Sequence, residues 1–290
     1  MYQQSITHLH RSAVVIAIDC SLSMQNWTYL HKTRMRKMEI ASLIANYAID
    51  ELVIRASRAN DVRNYYDIAV IGYSGDGVET IVGNEYGHLI DIKSLAERMP
   101  QPTCYHIMQE DSDGKMISAP ITLHEWVEPK ACGSSPMYEA LVYIKSLLTD
   151  WCDNPHNRDC FPPLVINISD GGCNDAVYDE LLDIARDIKE IHTTDGSTIF
   201  VNIYLSTEDE CEGHRLLFPS DDEVTNEEEE ETLLYNMSSV LPQELEHVIC
   251  DLSGREHRRA CRCFARNAPI CEALALANIG TEGCVGIKYR

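Results

Sequence analysis

The sequence has no apolar run approaching the roughly 18 residues of a membrane-crossing helix. Its N-terminal "SAVVIAI" is too short for a signal-peptide core and runs into a charge. A cytoplasmic protein that does not enter membranes is therefore expected. Basic charge is also scarce: 24 Lys and Arg against 46 Asp and Glu leave a formal net charge of -22. Such a surface repels phosphate backbones and anionic headgroups, which argues against nucleic acid as a partner. The one basic run, "REHRRACRCFAR" at 255–266, reads as a helix face paired with acidic neighbours. Paired C-x2-C knuckles are missing, although there are twelve cysteines, at 20, 104, 132, 152, 160, 173, 211, 250, 261, 263, 271 and 284. Zinc on the group Cys250, Cys261, Cys263 and Cys271 is accordingly not expected, and free thiols acting as small hydrophobes are. No G-x-x-x-x-G-K-[ST] loop is present for nucleotide phosphates. "GYSGDG" at 72–77 fails the G-x-S-x-G nucleophile elbow at Asp76 and reads as a turn.

What is present is an alternation of strands and helices. Apolar runs at 13–18, 65–74, 163–170 and 197–206 read as strands, with 77–83 a hairpin partner of the second. Between them, helical spacing marks 38–58 (Ile40, Leu43, Ile44, Tyr47, Leu52), 91–99, 134–151 and about 175–192. The 134–151 helix has serines at its cap and proline in its first turn. Near-continuous apolar strands separated by helices predict an α/β fold: a doubly wound, mainly parallel sheet flanked by helices. Residues 1–206 are taken as this domain, with a hairpin inserted at about 101–128 that turns at Asp113-Gly114. Residues 207–290 are an acidic loop and a helical C-terminal extension packed on the same domain. Its helices are placed from the run Glu227 to Glu231 onward and at 272–280.

In such sheets ligands bind outside the carboxyl ends of the strands, where strand order reverses. Two strands end there on aspartate: "AVVIAID" at Asp19 and "VINISD" at Asp170. Asp19 is followed by Ser21 and Ser23, and Ser134 and Ser135 precede the middle helix. Carboxylates and hydroxyls are hard oxygen donors that suit Mg²⁺ or a similar cation, although a bare D-x-S-x-S is also an ordinary turn. With Asp19 at the rim and not in the core, Asp19→Ala is expected to lose metal and keep the fold. A phosphotransfer enzyme using Asp19 as nucleophile would want a further acid or base beside it, which Leu22 and Ser23 do not supply.

Three segments in this order, "DCSLSM", "GSSPMYEAL" and "VINISDGG", resemble the three loops of the metal-ion-dependent adhesion site in the von Willebrand factor type A family. "DIAVIGYS", "WVEPKACGSSPM", "MSSVLP" and "NIGT" look like a bacterial intracellular subgroup of that family. The resemblance implies that Ser21 and Ser23 bind the metal directly and Ser135 directly or through water. Asp19 and Asp170 would hold it mainly through water. The implied cofactor is Mg²⁺ (or Mn²⁺ or Ca²⁺). The implied partner is a protein that offers an Asp or Glu to the ion, with protein kinases or phosphatases as candidates and no catalysis by this chain. Two departures matter. Leu22 stands where glycine is common, and Ser135 replaces the usual threonine and loses its β-branched stiffness. The rival to an adhesion module is a structural scaffold with a vestigial site.

Overall fold

The computed structural model describes residues 1–30, 33–59, 61–75, 77–110, 116–207, 216–224, 229–245 and 261–267. The chain opens with β1 (Ser12–Asp19), a 3₁₀ turn (Leu22–Gln25), the hairpin β2 (Trp27–Leu30) and β3 (Thr33–Arg36), and the helix α1 (Lys37–Ala56). A minimal hairpin, β4 (Ser57–Arg58) and β5 (Asp61–Val62), leads to β6 (Tyr66–Ser74), β7 (Gly77–Val82), β8 (Ile90–Asp91) and α2 (Ile92–Ala96). Then come β9 (Pro102–Glu110) and β10 (Met116–His124), α3 (Met137–Asp153), β11 (Leu164–Ser169), α4 (Tyr178–Glu190) and β12 (Ile199–Tyr204). β13 (Leu216–Leu217), α5 (Glu229–Met237) and β14 (Phe264–Arg266) close the described chain.

Among the described residues, eight strands form one mixed sheet in the order β13-β14-β12-β11-β1-β6-β7, with β8 also on β6. The five central strands, β14, β12, β11, β1 and β6, run parallel. β7, β8 and β13 pair antiparallel at the edges. The chain leaves β1 toward β6 and later returns to the other side of β1 as β11. Strand order therefore reverses between β1 and β11.

Burial on both faces explains why the strands read as continuous apolar runs. Val14, Ile16 and Ile18 of β1 pack into the core beneath α1. Ala13, Val15 and Ala17 face the opposite core, built with α3, α4 and α5. Each fully buried Val or Ile contributes about 1.5–3 kcal/mol over exposure. The second core carries a polar seam. The Tyr73 hydroxyl donates to Asn167 Oδ1 at 3.0 Å, Asn167 Nδ2 to Asn202 Oδ1 at 2.9 Å, and Asn202 Nδ2 to Ser238 Oγ at 3.0 Å. All four side chains are buried, so these bonds satisfy groups that would otherwise cost free energy to desolvate.

The inserted pair β9–β10 is antiparallel and anchored to α1 at its exit. Asn46 bonds the Val127 backbone in both directions at 3.0 and 2.8 Å. Asp50 accepts from His124 N, His124 Nδ1 and Trp126 Nε1 at 2.8–3.0 Å. The turn Asp113-Gly114 and the helix expected at 272–280 lie outside the described residues.

Three sequence expectations change. The α2 helix covers only 92–96 of the expected 91–99, and the β2–β3 hairpin was not anticipated. The described end of the basic run is not a helix face: Phe264–Arg266 is β14, inserted into the sheet beside β12. Three residues are too few for a period to show in sequence, and tertiary pairing decides their conformation.

Candidate functional site at the carboxyl edge of the sheet

The reversal between β1 and β11 places Asp19, the last residue of β1, beside Asp170, the residue after β11. Asp19 is fully buried. Its Oδ1 accepts from the Ser21 backbone N–H at 2.8 Å, and its Oδ2 from Ser169 Oγ at 2.9 Å and Ser135 Oγ at 3.2 Å. The rim placement is thereby corrected. Three donors would lose their acceptor in Asp19→Ala, at a cost of about 1–3 kcal/mol for each one left unsatisfied. Burial pushes the Asp19 carboxyl up to about 6, and the charge of Asp170 adds to this, while the bonds from Ser21 and Ser169 oppose it.

Three loops meet around this carboxylate. The first turns into a 3₁₀ segment that brings Ser21 Oγ and Ser23 Oγ within 3.1 Å of each other. The second, 131–135, is strapped to the first by Cys132 N to Cys20 O at 2.7 Å and Leu22 N to Gly133 O at 3.0 Å. The third is tied to the second by Asn174, whose Oδ1 accepts from Ser135 N at 2.9 Å and whose N donates to Ser135 O at 3.0 Å. Asp175 then accepts from Tyr138 N and Glu139 N at 3.1 and 2.9 Å, capping α3 from outside. The expected serine cap is replaced: Pro136 occupies the N-cap position without a side-chain bond, and Ser135 turns to Asp19 instead. Leu22, between Ser21 and Ser23, is 57% exposed.

Sequence reading missed Ser169, Asn174 and Asp175, and above all Lys37. The first residue of α1 sends a buried ammonium into the site: Lys37 Nζ lies 3.0 Å from Asp170 Oδ2 and 2.9 Å from Thr207 Oγ1. The cavity beside this pair, about 350 Å³, is lined by Ser23, Asn26, Lys37, Asp170, Thr207 and Glu230 among others. Asp170 is therefore held by a cation of the chain itself. No salt bridge reaches Asp19 among the described residues.

Ser21, Ser23, Ser135, Asp19 and Asp170 are thus brought to one edge by three loops. They offer only hard oxygens, which fits a small divalent cation in donor chemistry. Among the described residues no group of three or more His, Cys, Asp or Glu would hold a metal ion, so this set depends on its hydroxyls. Cys20, beside the site, is pushed up to about 12 by burial and then by the Asp19 charge. It stays a thiol and is no ligand for a hard ion. Ser74 ends β6 and pairs with Gly77 of β7 in an antiparallel hairpin, not in a strand-to-helix elbow.

No family model matches this chain, and no curated protein does. Among solved structures it is similar to a von Willebrand factor type A protein from Catenulispora acidiphila, at 15% identity and a TM-score of 0.41, over 68% of this chain and 34% of that one. This chain spans about a third of that protein. It is also similar to an uncharacterized membrane spanning protein from Vibrio fischeri, at 12% identity and a TM-score of 0.28, over 67% of this chain and 71% of that one. The sheet order and its reversal at β1 and β11 define an α/β, Rossmann-like arrangement by themselves. No helix among the described residues is long and apolar enough to cross a membrane.

Proposed function

We propose that this protein is a cytoplasmic, metal-dependent protein-interaction module without catalytic activity, with an adhesion site of the von Willebrand factor type A kind. Asp19, Ser21, Ser23, Ser135 and Asp170 would hold Mg²⁺, or Mn²⁺ or Ca²⁺ in its place. Such an ion supplies an electrophilic point to which the Asp or Glu of a partner protein can bind. The observation that carries the reading is the Asp19 carboxylate: fully buried, held by three donors and met by no salt bridge among the described residues. A buried carboxylate in that state is stabilised by a cation. The three loops are cross-bonded through Gly133, Ser135 and Asn174, so the chain's part is to hold hydroxyls and carboxylates at fixed spacing. The family resemblance makes a protein kinase or phosphatase of a bacterial signalling or defence system the first partner to try.

The test is calorimetric titration of Mg²⁺ and Mn²⁺ into wild type, Asp19→Asn and the Ser21→Ala, Ser23→Ala double variant. Asp19→Asn keeps the shape and part of the bonding. The reading expects saturable binding by wild type and loss in both variants, with unchanged circular dichroism. Equal binding by all three overturns it. The second reading, a metal-free scaffold, is favoured by Lys37, which already gives Asp170 a cation. A scaffold would hold its partner equally well in chelator, whereas an adhesion module would release it.

A further inference from the structure

The cavity at the sheet edge contains a charge arrangement that the metal-dependent reading does not require. Lys37 is 2% exposed and its ammonium bonds one carboxylate oxygen of Asp170 and the hydroxyl of Thr207. Its place is fixed by the fold. It is the first residue of α1, its backbone N–H is bonded to Asn26 O at 3.0 Å, and the β2–β3 hairpin delivers it directly from the site's first loop. Burying a lysine is costly unless it is paired, so the ion pair with Asp170 is what holds the ammonium there.

Among the described residues, the buried charged side chains at this site are two carboxylates, Asp19 and Asp170, and one cation, Lys37. This buried set is one positive charge short of neutral, before the exposed carboxylate of Glu230 at the cavity is counted. A divalent ion alone would balance both carboxylates, and the lysine would then be surplus. Ion and ammonium also want the same Asp170 carboxylate. With Nζ at 3.0 Å from Oδ2, an ion held on the same carboxylate, directly or through one water, would stand close to the ammonium. At about 8 Å a unit charge weakens divalent binding several-fold even at the dielectric of water, and more in a buried site of lower dielectric. Glu230, which lines the same cavity and is exposed, offers a second carboxylate to a displaced ammonium.

We infer that Lys37 is a tethered competitor of the divalent ion, seated on Asp170 until the metal displaces it. This rests on the adhesion-site reading and adds its regulation: the site is self-neutralised at low metal and opens only above a threshold set by the Lys37–Asp170–Thr207 contact. An event that draws α1 or its lysine away from Asp170 raises metal affinity, and metal binding drives the lysine away in return.

The test is calorimetric Mn²⁺ and Mg²⁺ titration of the full chain as wild type, Lys37→Met, Lys37→Arg and Thr207→Val, with thermal denaturation of each in chelator. Lys37→Met is expected to bind at least tenfold tighter than wild type. Lys37→Arg, which keeps the charge, should stay within about threefold. Thr207→Val removes one bond from the ammonium and leaves the ion pair, so it should tighten binding to a lesser degree and remains informative where Lys37→Met fails to fold. Binding by wild type with no gain in Lys37→Met or Thr207→Val overturns the competitor and leaves the adhesion site standing. Binding by Lys37→Met with none detectable in wild type supports both and makes Lys37 a lock. Absence of binding in every variant overturns the adhesion-site reading and the competitor with it.

Discussion

Gly75 and Gly133 cross backbone to backbone under the second loop of the site, and no other residue fits either position. A Cβ on Gly75 would lie 2.8 Å from Gly133 Cα, and one on Gly133, where φ is +64°, would lie 2.6 Å from Gly75 Cα. Gly75→Ala must therefore push the 131–135 loop outward, taking Ser135 from Asp19. Overpacking of this kind costs about 1–3 kcal/mol. Denaturant unfolding should show that loss, and divalent titration should show weakened binding. Unchanged values in both would mean that the loop position is not set by this crossing. Lys189 supplies a second residue-level prediction. Burial, and then the charges of Arg262 and Arg186, hold its ammonium down to about 8. The unfolded chain then binds more protons than the folded one between about pH 8 and the ordinary lysine value near 10.4. Stability from this group rises with pH across that window, and its cost is fully present below about 8. Cys20, Cys152 and Cys263, each pushed up to about 12, act with the opposite sign over pH 8.5–12. The difference between wild type and Lys189→Met isolates the lysine. Melting temperature at pH 7 should be higher in the variant, and the gap should close toward pH 10.5. At this scale Asp19, Ser21, Ser23 and Ser135 were legible because they lie on short loops next to strand and helix ends. Lys37, Ser169 and Asn174 were not. Their roles depend on which distant segment folds against them, as in the 133-residue separation between Lys37 and Asp170.

Elements divide in the same way. β1, β6, β11 and β12 announced themselves because both faces are buried and each strand is six residues or longer. The edge pieces did not: β13 and β14 have two and three residues, and their pairing is decided by the sheet. What fixes β14 is partly electrostatic. Arg266 Nη1 lies 2.6 Å from Glu231 Oε2 on α5, with side chains only 11% and 3% exposed. The acidic first turn of α5 thus does two jobs. Glu229 and Glu230 complement the helix dipole from the surface, and Glu231 turns inward to the sheet. Removing one partner of such a pair leaves a buried charge and costs about 3–5 kcal/mol. Arg266→Met should therefore destabilise strongly, and Arg266→Met with Glu231→Leu should recover most of the loss. A double-mutant cycle by urea unfolding measures this. Additive losses would mean that the two charges are not coupled.

The whole molecule carries 22 more negative than positive charges, so its folded surface repels itself, and salt should relieve that repulsion. The Debye length falls from about 30 Å at 0.01 M to about 8 Å at 0.15 M ionic strength. The buried pairs Lys37–Asp170 and Arg266–Glu231 are screened far less than the exposed carboxylates. The net effect of NaCl should thus be a rise in melting temperature, levelling off once the Debye length is shorter than the spacing of surface charges. Magnesium separates this global effect from the local one. At equal ionic strength MgCl₂ and NaCl screen alike, so any extra stabilisation by MgCl₂ is ion binding to the native state. That extra stabilisation should grow with the logarithm of Mg²⁺ concentration above the site's dissociation constant. It should disappear in the Ser21→Ala, Ser23→Ala variant, which leaves the net charge at -22. If the two salts give the same melting curve in wild type, then diffuse screening of an acidic surface is the whole of its response to Mg²⁺. If the Mg²⁺-specific rise survives in the variant, the ion binds on some other part of the acidic surface.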